Sequence, residues 1–494
     1  MSRTLLLREI AAVIPGARLV NDSAGVVISS LAINSGSVEP GALFFAIPGA
    51  SRDGHDFIND AKTRGACAFL VSREEALGSN AGILVSDPRL ALSAVADYWY
   101  GRPSQSLALV GITGTNGKTT TNWIVYSLLN LLDKKTFRMG TLGFFAPGIA
   151  DDPDSLTSPD ALAVHRDLAL AKAGGCEAGV LEISSHALDQ ARMHHLKLTS
   201  AVFTNLTRDH LDYHKTMADY GAAKLRILDL LAPGGAARLV VNGDDPFSEQ
   251  FIQQAKLKKC AVISFGFSKA VDGQILDLKN QAGKSSFTLK RAGVDYQISS
   301  PYIGEHNAQN VVGALLAVEA LGYSIKQLQE VLPHVTQVPG RLEYVGSAGI
   351  DVYVDYAHTP DALENVLSVL KPLTKGKLWA VCGCGGDRDP GKRPQMAKIA
   401  IELADRAVFT SDNPRTEDPA KILVDMTAEG AVPELLEVDR ARAIEQTLTR
   451  AVAGDTVIIA GKGHEDYQII GTTKYPFSDV SVVRKFFEQN REDR

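Results

Sequence analysis

Residues 107–120 read LALVGITGTNGKTT, and this stretch decides the fold of the central part of the chain. An apolar strand ending at Ile112 leads into a turn that contains Gly114 and Gly117, and a segment of helical periodicity begins at Lys118. The glycines allow a tight turn whose backbone N–H groups point inward, and the helix N-terminus adds partial positive charge. This order of strand, glycine turn, Lys-Thr and helix predicts a phosphate-binding loop for ATP.

The loop departs from the usual GxxxxGK[ST] pattern, because Ile112 stands where the first glycine is expected. A plain glycine turn that caps a strand is the alternative interpretation. The Gly-Lys-Thr core between a strand and a helix favours the nucleotide site, in which Lys118 reaches the outer phosphates and Thr119 can bind Mg²⁺. The predicted ATP-binding residues of the loop are Gly114, Thr115, Asn116, Gly117, Lys118, Thr119 and Thr120.

Outside this loop, short aliphatic runs alternate with longer helical segments, which predicts an α/β fold with parallel sheets. The predicted strands are 107–112, 178–183, 200–205, 238–242, 351–355, 378–382, 407–410 and 456–460. Open α/β sheets bind ligands beyond the carboxyl ends of their strands, so the polar residues that follow these runs are the candidate site residues.

Two Gly- and Pro-containing junctions, at 101–104 and 338–341, divide the 494 residues into three predicted domains. The first is a smaller N-terminal α/β domain (1–103). A central domain built on the phosphate-loop parallel sheet (104–338) and a C-terminal doubly wound α/β domain (339–494) follow it.

Composition excludes several classes of function. With a formal net charge of -6, the chain is a poor general binder of nucleic acid or acidic membranes, so we expect neither as a partner. Residues 1–20 lack the apolar segment of a signal peptide, and the five cysteines show neither CxxC nor zinc-ligand spacing. We therefore predict a cytoplasmic protein, which we expect to be a monomer.

Two further residues could bind a metal ion. Glu182 ends a predicted strand and could bind Mg²⁺ beside the phosphate loop, although a capping or solvated carboxylate would look the same. His210 lies in the polar loop at 205–212, where a lone histidine is more often hydrogen-bonded structure than a metal ligand. Residue type alone leaves both interpretations open.

Seven motifs favour the metal-binding interpretation of Glu182 and His210, because the order and spacing of these motifs resemble those of the Mur ligase family. The resemblance extends over essentially the whole chain. They are GTNGKTT (114–120), LEISSHAL (181–188), NLTRDHLDYH (205–214), YGAAK (220–224), GEHNAQN (304–310), PGRLE (339–343) and DYAHTP (355–360). The resemblance implies an ATP-dependent, amide-forming ligase of peptidoglycan synthesis. Its substrates would be small molecules, with UDP-N-acetylmuramoyl-L-alanyl-D-glutamate bound by the N-terminal domain and activated at its D-glutamate side chain as an acyl phosphate.

The resemblance implies a catalytic set of Lys118, Glu182, His210 and Lys224. Thr119 and Glu182 would bind one Mg²⁺ and His210 a second. Lys224 would carry a carbamate, which turns a cation into a carboxylate suited to Mg²⁺, whereas without the family it would be interpreted as a solvated helix lysine. Further implied ATP contacts are Asn307, Asn310, Arg341 and Asp355, with domain closure as a step of the cycle.

The family also implies where the acceptor substrate binds. Arg192 is a suitable partner for an anion, and the UDP moiety would contact Ile33, Ser35 and the 49–54 loop, which is otherwise an ordinary turn. The implied binding residues for the muramoyl dipeptide are Thr157, Ser158, Ser184, Gln190 and Arg192.

Three polar loops after C-terminal strands predict the pocket for the incoming amino acid. Arg388 and Arg415 offer planar forks for carboxylates, and Glu465 can accept from an ammonium group. The Asp-Asn-Pro-Arg sequence resembles family members that add meso-diaminopimelate, and lysine would leave Arg415 unpaired. The predicted diaminopimelate-binding residues are Arg388, Asp412, Asn413, Pro414, Arg415, Gly461 and Glu465.

Three alternatives stay open at this point: a lysine-adding member of the family, a folylpolyglutamate-type synthetase, and a binding module that merely senses ATP. The long N-terminal domain and the Asp-Asn-Pro-Arg loop argue against the synthetase. A sensor would have no use for Glu182, His210 and Lys224 together.

Overall fold

The computed structural model describes residues 3–49, 52–149, 156–232, 235–347 and 349–492, so Ala50 and Ser51 of the predicted 49–54 loop lie outside the described residues. The chain forms two compact units. One comprises Met1–Gln274 and Val312–Leu328, and the other Ile275–Val311 and Gln329–Arg494. The division into three domains at 103 and 338 stays a prediction.

The first unit opens with a small α/β sheet. Its elements are β1 (Leu5–Leu6), α1 (Leu7–Ala11), β2 (Arg18–Val20), β3 (Val27–Ile28), β4 (Ser30–Ala32), β5 (Ala42–Phe45), α2 (Ile58–Thr63), β6 (Ala66–Val71), β7 (Gly82–Leu84) and α3 (Pro88–Trp99). The strand order is β2-β7-β6-β5-β4, parallel from β4 to β7. Because Phe44 and Phe45 of β5 enter cores on opposite faces, every residue of this strand is buried.

A larger parallel sheet follows in the same unit. Its elements are β8 (Ala108–Thr113), α4 (Lys118–Leu131), β9 (Thr136–Gly140), β10 (Gly143–Phe145), α5 (Ala161–Ala173), β11 (Ala178–Glu182), α6 (Ser185–Asp189), β12 (Ser200–Phe203), α7 (Leu211–His214), α8 (Met217–Leu225), β13 (Arg238–Asn242), α9 (Ser248–Leu257) and β14 (Ala261–Gly266). The order is β10-β9-β11-β8-β12-β13-β14, with only β10 antiparallel among these pairs. The loop after β8 therefore lies between the carboxyl ends of β11 and β12.

The remaining elements begin at residue 273. They are β15 (Gly273–Gln281), β16 (Lys284–Arg291), β17 (Val294–Ser300), α10 (Glu305–Glu319), α11 (Ile325–Val331), β18 (Glu343–Ser347), β19 (Asp351–Asp355), α12 (Pro360–Leu370), β20 (Leu378–Cys382), α13 (Lys392–Leu403), β21 (Arg406–Thr410), α14 (Pro419–Thr427), β22 (Leu435–Glu437), α15 (Arg440–Arg450), β23 (Thr456–Ala460), β24 (Tyr467–Ile470), β25 (Thr473–Pro476) and α16 (Asp479–Glu492).

The second unit contains a six-stranded sheet in the order β18-β19-β23-β20-β21-β22, parallel except for β18. Leu363, Met396 and Ile422 of helices α12 to α14 pack on one face, and Ile444 and Val483 of α15 and α16 pack on the other. Helices on both faces make this a doubly wound fold, as predicted. The carboxyl ends of β20, β21 and β23 are neighbours at one edge of the sheet.

The predicted α/β fold class is confirmed. Each strand predicted from the sequence is present, and the largest difference is at 200–205, where the observed strand is Ser200–Phe203. No helix in the described ranges is long and apolar enough to cross a membrane.

Candidate active site

The loop between β8 and α4 adopts a conformation that demands glycine. Gly117 precedes α4 with φ +83°, and Gly114 has φ +150°, values that residues with a side chain rarely adopt. A Cβ at Gly114 would overlap Oγ1 of Thr204. The loop passes so close to the end of β12 that only glycine fits at position 114. This close approach explains why the motif carries Gly114.

The end of β12 also braces this loop by hydrogen bonds. Thr204 Oγ1 donates to the carbonyl of Asn116 over 2.6 Å, and Asn205 Oδ1 accepts from the Asn116 N–H over 2.9 Å. The N–H of Thr115 donates to the carbonyl of Asn205 over 2.9 Å. Sequence reasoning did not assign Thr204 and Asn205 this role, although their position directly after a strand of the same sheet was a signal.

Lys118 occupies the first position of α4 and is partly buried. Its Nζ donates to the carbonyls of Gly114 over 2.9 Å and Thr115 over 2.8 Å. A cation held on the loop backbone, at the positive end of a helix, is the arrangement that attracts phosphate oxygens.

Glu182, at the end of β11, is 1% exposed and carries the carboxylate of the site. Thr119 Oγ1 donates to Oε2 over 3.0 Å, and Thr141 donates through its N–H to Oε1 over 3.0 Å and through Oγ1 to Oε2 over 3.1 Å. Burial raises the pKa of Glu182, while the charge of Lys118 and these hydrogen bonds oppose the rise. Thr141 is a site residue that the sequence interpretation missed.

Lys224 is buried, with 1% of its surface exposed, so the alternative of a solvated helix lysine is wrong. From α8 its Nζ donates to the carbonyl of Gly114 over 2.8 Å and lies 4.3 Å from the centre of the Tyr220 ring. Burial, together with the positive charge of Lys118, holds the pKa of Lys224 well below its ordinary value. The neutral form of this amine is therefore favoured more than that of an exposed lysine.

His210 is exposed and precedes α7 with φ +52°. Its Nε2 lies 3.5 Å from Asp209 Oδ2, and its ring centre is 4.8 Å from that of His186. Within the described ranges, no group of three or more His, Cys, Asp or Glu is placed to hold a metal ion. The structure thus brings together Thr119 and Glu182 of the predicted ligand set, whereas a metal contact by His210 stays a prediction.

The residues predicted to bind the muramoyl dipeptide adjoin Glu182. Ser158 Oγ donates to the Glu182 carbonyl over 2.9 Å and accepts from the Ser184 N–H over 3.0 Å. The hydroxyls of Thr157 and Thr141 are 3.1 Å apart. One network therefore joins these serines and threonines to the carboxylate that faces the phosphate loop.

Arg192 and Gln190 extend the same network. Arg192 donates through Nη1 to the Ser158 carbonyl over 2.8 Å and through Nη2 to Gln190 Oε1 over 2.7 Å. Burial lowers the pKa of Arg192 from its ordinary value. A guanidinium held this way, with part of its solvent removed, is suited to binding an anionic substrate.

Ile33 and Ser35 follow β4 in the N-terminal sheet. Ile33 packs against the core of that sheet, and a hydrogen bond from the Ser35 side chain lowers the pKa of Asp60. No hydrogen bond among the described residues joins them to the network around Arg192, and their binding of the UDP moiety stays a prediction.

In the second unit, the loops after β21 and β23 are tied together by side chains. Asn413 Nδ2 donates to Glu465 Oε2 over 2.9 Å. The ammonium group of Lys462, which is fully buried, donates to Asn413 Oδ1 over 3.1 Å and to Glu465 Oε2 over 2.9 Å. Lys462 was not among the predicted site residues, although its place between two glycines after a strand was a signal.

Arg415 is held by the loop after β20 and by the β24–β25 hairpin. Its Nη1 donates to the Gly386 carbonyl over 2.8 Å. Its backbone, at φ +52°, donates to the Ile469 carbonyl over 3.0 Å and accepts from the Gly471 N–H over 2.7 Å. The hairpin thereby keeps Arg415 in a backbone conformation that costs free energy for a non-glycine residue.

The other predicted amino-acid residues surround the same edge of the sheet. Asp412 is buried with its carboxylate against Gly461, and Gly386 packs against the Pro414 carbonyl. Arg388 is exposed, and its side chain donates to the Asp387 carbonyl over 3.4 Å. The structure therefore brings the three predicted loops together.

Four residues of the second unit are predicted to contact ATP, and they interact in two pairs, Asp355 with Arg341 and Asn310 with Asn307. Asp355 is buried and accepts from the Leu342 N–H over 2.6 Å, and burial raises its pKa against the opposing charge of Arg341. Asn310 Nδ2 donates to Asn307 Oδ1 over 3.2 Å. Their contact with ATP stays a prediction.

The fold and the site together define a phosphate-loop α/β protein in which the loop after β8 adjoins the buried Glu182 carboxylate and the partly buried Arg192 guanidinium. The chain belongs to the Mur ligase family, which confirms the resemblance seen in the motifs. The matching models are the Mur ligase family catalytic domain over 27–100, the Mur ligase middle domain over 112–318, and the Mur ligase glutamate ligase domain over 340–463.

Individual proteins extend the comparison. A UDP-N-acetylmuramoyl-L-alanyl-D-glutamate–2,6-diaminopimelate ligase from Synechococcus elongatus is 42% identical over 470 residues, 93% of this chain and 94% of the relative. A solved structure of a ligase with the same name is 32% identical with a TM-score of 0.74, covering 99% of this chain and 100% of that one. A Mycobacterium tuberculosis folylpolyglutamate synthase complexed with ADP, 21% identical with a TM-score of 0.60 over 76% of this chain and 92% of that one, shares the fold.

Proposed function

We propose that this chain is the ATP-dependent ligase that adds meso-diaminopimelate to the D-glutamate side-chain carboxylate of UDP-N-acetylmuramoyl-L-alanyl-D-glutamate, in peptidoglycan precursor synthesis. The observation that carries the proposal is the network on β11. There one residue, Glu182, accepts from Thr119 of the phosphate loop through its carboxylate and from Ser158 through its carbonyl, and the carbonyl of Ser158 accepts from Arg192. Through Glu182, the loop predicted to bind phosphate is joined to the arginine proposed to bind the anionic substrate, which supports the proposal.

In the first half of the reaction, the D-glutamate carboxylate attacks the γ-phosphate of ATP. An acyl phosphate forms and ADP leaves. Both reactants are anions, so the main task of the protein is to hold them in line and to offset their repulsion. Lys118 supplies positive charge at the phosphates, and Arg192 supplies it on the side of the acceptor substrate.

In the second half, the amine of diaminopimelate attacks the acyl carbonyl, and the tetrahedral intermediate collapses to the amide and inorganic phosphate. The loops of the second unit would bind the amino acid, with the Arg415 guanidinium on a carboxylate and the Glu465 carboxylate on an ammonium group. Orientation and charge neutralisation suffice for this chemistry, which needs no side-chain nucleophile.

The residues at the phosphate loop fit Mg²⁺, which prefers oxygen ligands. The Thr119 hydroxyl and the buried Glu182 carboxylate are 3.0 Å apart, and a buried carboxylate whose pKa is raised gains most from a nearby cation. We propose Thr119 and Glu182 as ligands of one ion, and His210 of a second. Bound Mg²⁺ would neutralise negative charge on the phosphates.

We also propose that Lys224 carries a carbamate. Its amine is buried, faces the like charge of Lys118, and so favours the neutral form that adds to CO₂ with loss of one proton. The product is a carboxylate beside Lys118, which replaces a repulsive pair of cations by an attractive pair and supplies oxygens for a divalent ion. A cytoplasmic location, small-molecule substrates and a monomeric state belong to the same proposal.

Replacing Lys224 by methionine should lower phosphate release roughly 100-fold, because an apolar side chain cannot become a carboxylate. Lys224→Glu should retain more activity than Lys224→Met, and ¹³C-bicarbonate should give the wild type a carbamate NMR signal that Lys224→Met lacks. Lys172→Met, which changes an exposed lysine of α5, is the matched control. A wild type with full activity in CO₂-free buffer and no carbamate signal would contradict the role.

The overall reaction is tested by offering meso-diaminopimelate and L-lysine together with ATP and the muramoyl dipeptide. We expect the diaminopimelate adduct to dominate the product masses, because lysine lacks the second carboxylate for an arginine fork. Phosphate release should require the muramoyl dipeptide. Release at the same rate without that substrate would reject the ligase, and a dominant lysine adduct would assign the chain to the lysine-adding alternative.

A further inference from the structure

Lys462 is a fully buried cation in the pocket proposed for the incoming amino acid. It follows β23 between Gly461 and Gly463. An ammonium group removed from water is costly unless hydrogen bonds and an opposite charge compensate it. Here the compensation comes from Glu465 Oε2 at 2.9 Å and Asn413 Oδ1 at 3.1 Å.

These contacts determine how the Asn413 amide is oriented. Its Oδ1 accepts from Lys462 and from the Ile469 N–H, which lies 2.9 Å away, and its Nδ2 donates to Glu465 Oε2 over 2.9 Å. Because an ammonium group has no acceptor, Oδ1 and not Nδ2 must face Lys462. The Asn413 side chain is therefore occupied by the protein itself.

These contacts fix the Glu465 carboxylate through one of its two oxygens. Lys462 and Asn413 both donate to Oε2, whereas no described residue donates to Oε1. A carboxylate fixed through one oxygen presents the other in a defined direction. Glu465 retains some exposure while Lys462 has none, so only the carboxylate is open to a ligand.

We propose that Lys462 is a positioning residue that determines amino-acid binding by holding the Glu465 carboxylate so that Oε1 meets the ammonium group of the incoming substrate. Lys462 acts through Glu465 and does not touch the ligand. The inference rests on the proposed function, and it adds a residue outside the predicted diaminopimelate set.

The role predicts a specific kinetic change. Lys462→Met keeps the length of the side chain and removes the charge, so Glu465 loses its counter-charge and one of two hydrogen bonds. We expect the KM for meso-diaminopimelate to rise at least ~10-fold, while kcat and the KM for ATP and for the muramoyl dipeptide change less than about threefold. Lys421→Met, at an exposed lysine of α14, should leave all four values unchanged.

A double-mutant cycle with Glu465→Gln separates positioning from a general loss of structure. If Lys462 acts through Glu465, adding Lys462→Met to Glu465→Gln should raise the KM for diaminopimelate less than about twofold. An equal rise in both backgrounds, or an unchanged KM in Lys462→Met, overturns the inference. Lys462→Gln replaces Lys462→Met if thermal unfolding shows that the methionine variant is not folded.

The wild-type enzyme in the same assay separates the two proposals. A wild type that uses diaminopimelate while Lys462→Met is unaffected leaves the function standing and removes the role of Lys462. A wild type that does not use diaminopimelate overturns both.

Discussion

Replacing Lys118 by methionine is expected to reduce phosphate release by roughly 1,000-fold, the largest single effect predicted for this chain. Lys118 begins α4 and is held by the carbonyls of Gly114 and Thr115. Its charge would offset the repulsion between the γ-phosphate and the attacking carboxylate, and that repulsion is greatest in the transition state. Most of the loss should therefore be in kcat.

Steady-state phosphate release and the affinity for ATP are the measurements for Lys118→Met. Lys172→Met, the same substitution at an exposed lysine, is again the control and should leave phosphate release unchanged. A thermal unfolding midpoint close to that of the wild type must accompany the loss, because Lys118 also faces buried Glu182 and Lys224. A folded Lys118→Met enzyme with more than about a tenth of wild-type kcat would contradict the assigned site.

The second large effect is expected from Arg415→Ala. Losing a guanidinium that binds a ligand carboxylate costs about 3 kcal/mol, so the KM for meso-diaminopimelate should rise roughly 100-fold. Use of ATP should change little, because Arg415 donates to the carbonyls of Gly386 and Asn413 and is held by the β24–β25 hairpin, all within the predicted amino-acid pocket. Lysine should be discriminated against less strongly than in the wild type.

Competition kinetics with diaminopimelate and lysine measure this change. Arg415→Lys should recover only part of the loss, because an ammonium group is a point charge and not a planar fork. Arg406→Ala is the matched control, since Arg406 lies at the opposite end of β21 in a partly exposed ion pair with Glu434. Equal losses in the use of ATP and of diaminopimelate would show that Arg415 supports the fold and not the amino-acid site.

Local sequence was enough to predict the phosphate loop, because its chemistry depends on adjacent residues. Gly114, Gly117 and Lys118 act within one turn, the aliphatic run before it predicts a strand by its composition, and the periodicity after it predicts a helix. The three loops of the second unit were predictable for a related reason: each follows a parallel strand, and the carboxyl ends of parallel strands meet at one edge of a sheet.

Individual side-chain contacts between residues distant in sequence were not predicted. Thr141 reaches Glu182 from the end of β9, and Thr204 reaches the phosphate loop from the end of β12. Neither residue type indicates such a role, because threonines at strand ends are common. Lys462 was missed because burial decides whether a lysine is a surface charge or a structural cation, and burial depends on packing.

The sequence by itself determined the fold class and the family and predicted the nucleotide loop, since these follow from residue order over short distances. Only the tertiary structure decided which charges are removed from water. It placed Lys224 against the Gly114 carbonyl and enclosed Lys462 between Asn413 and Glu465. The physical reason is that the free energy of a charge depends on its whole surroundings, which the folded chain assembles from residues far apart in the sequence.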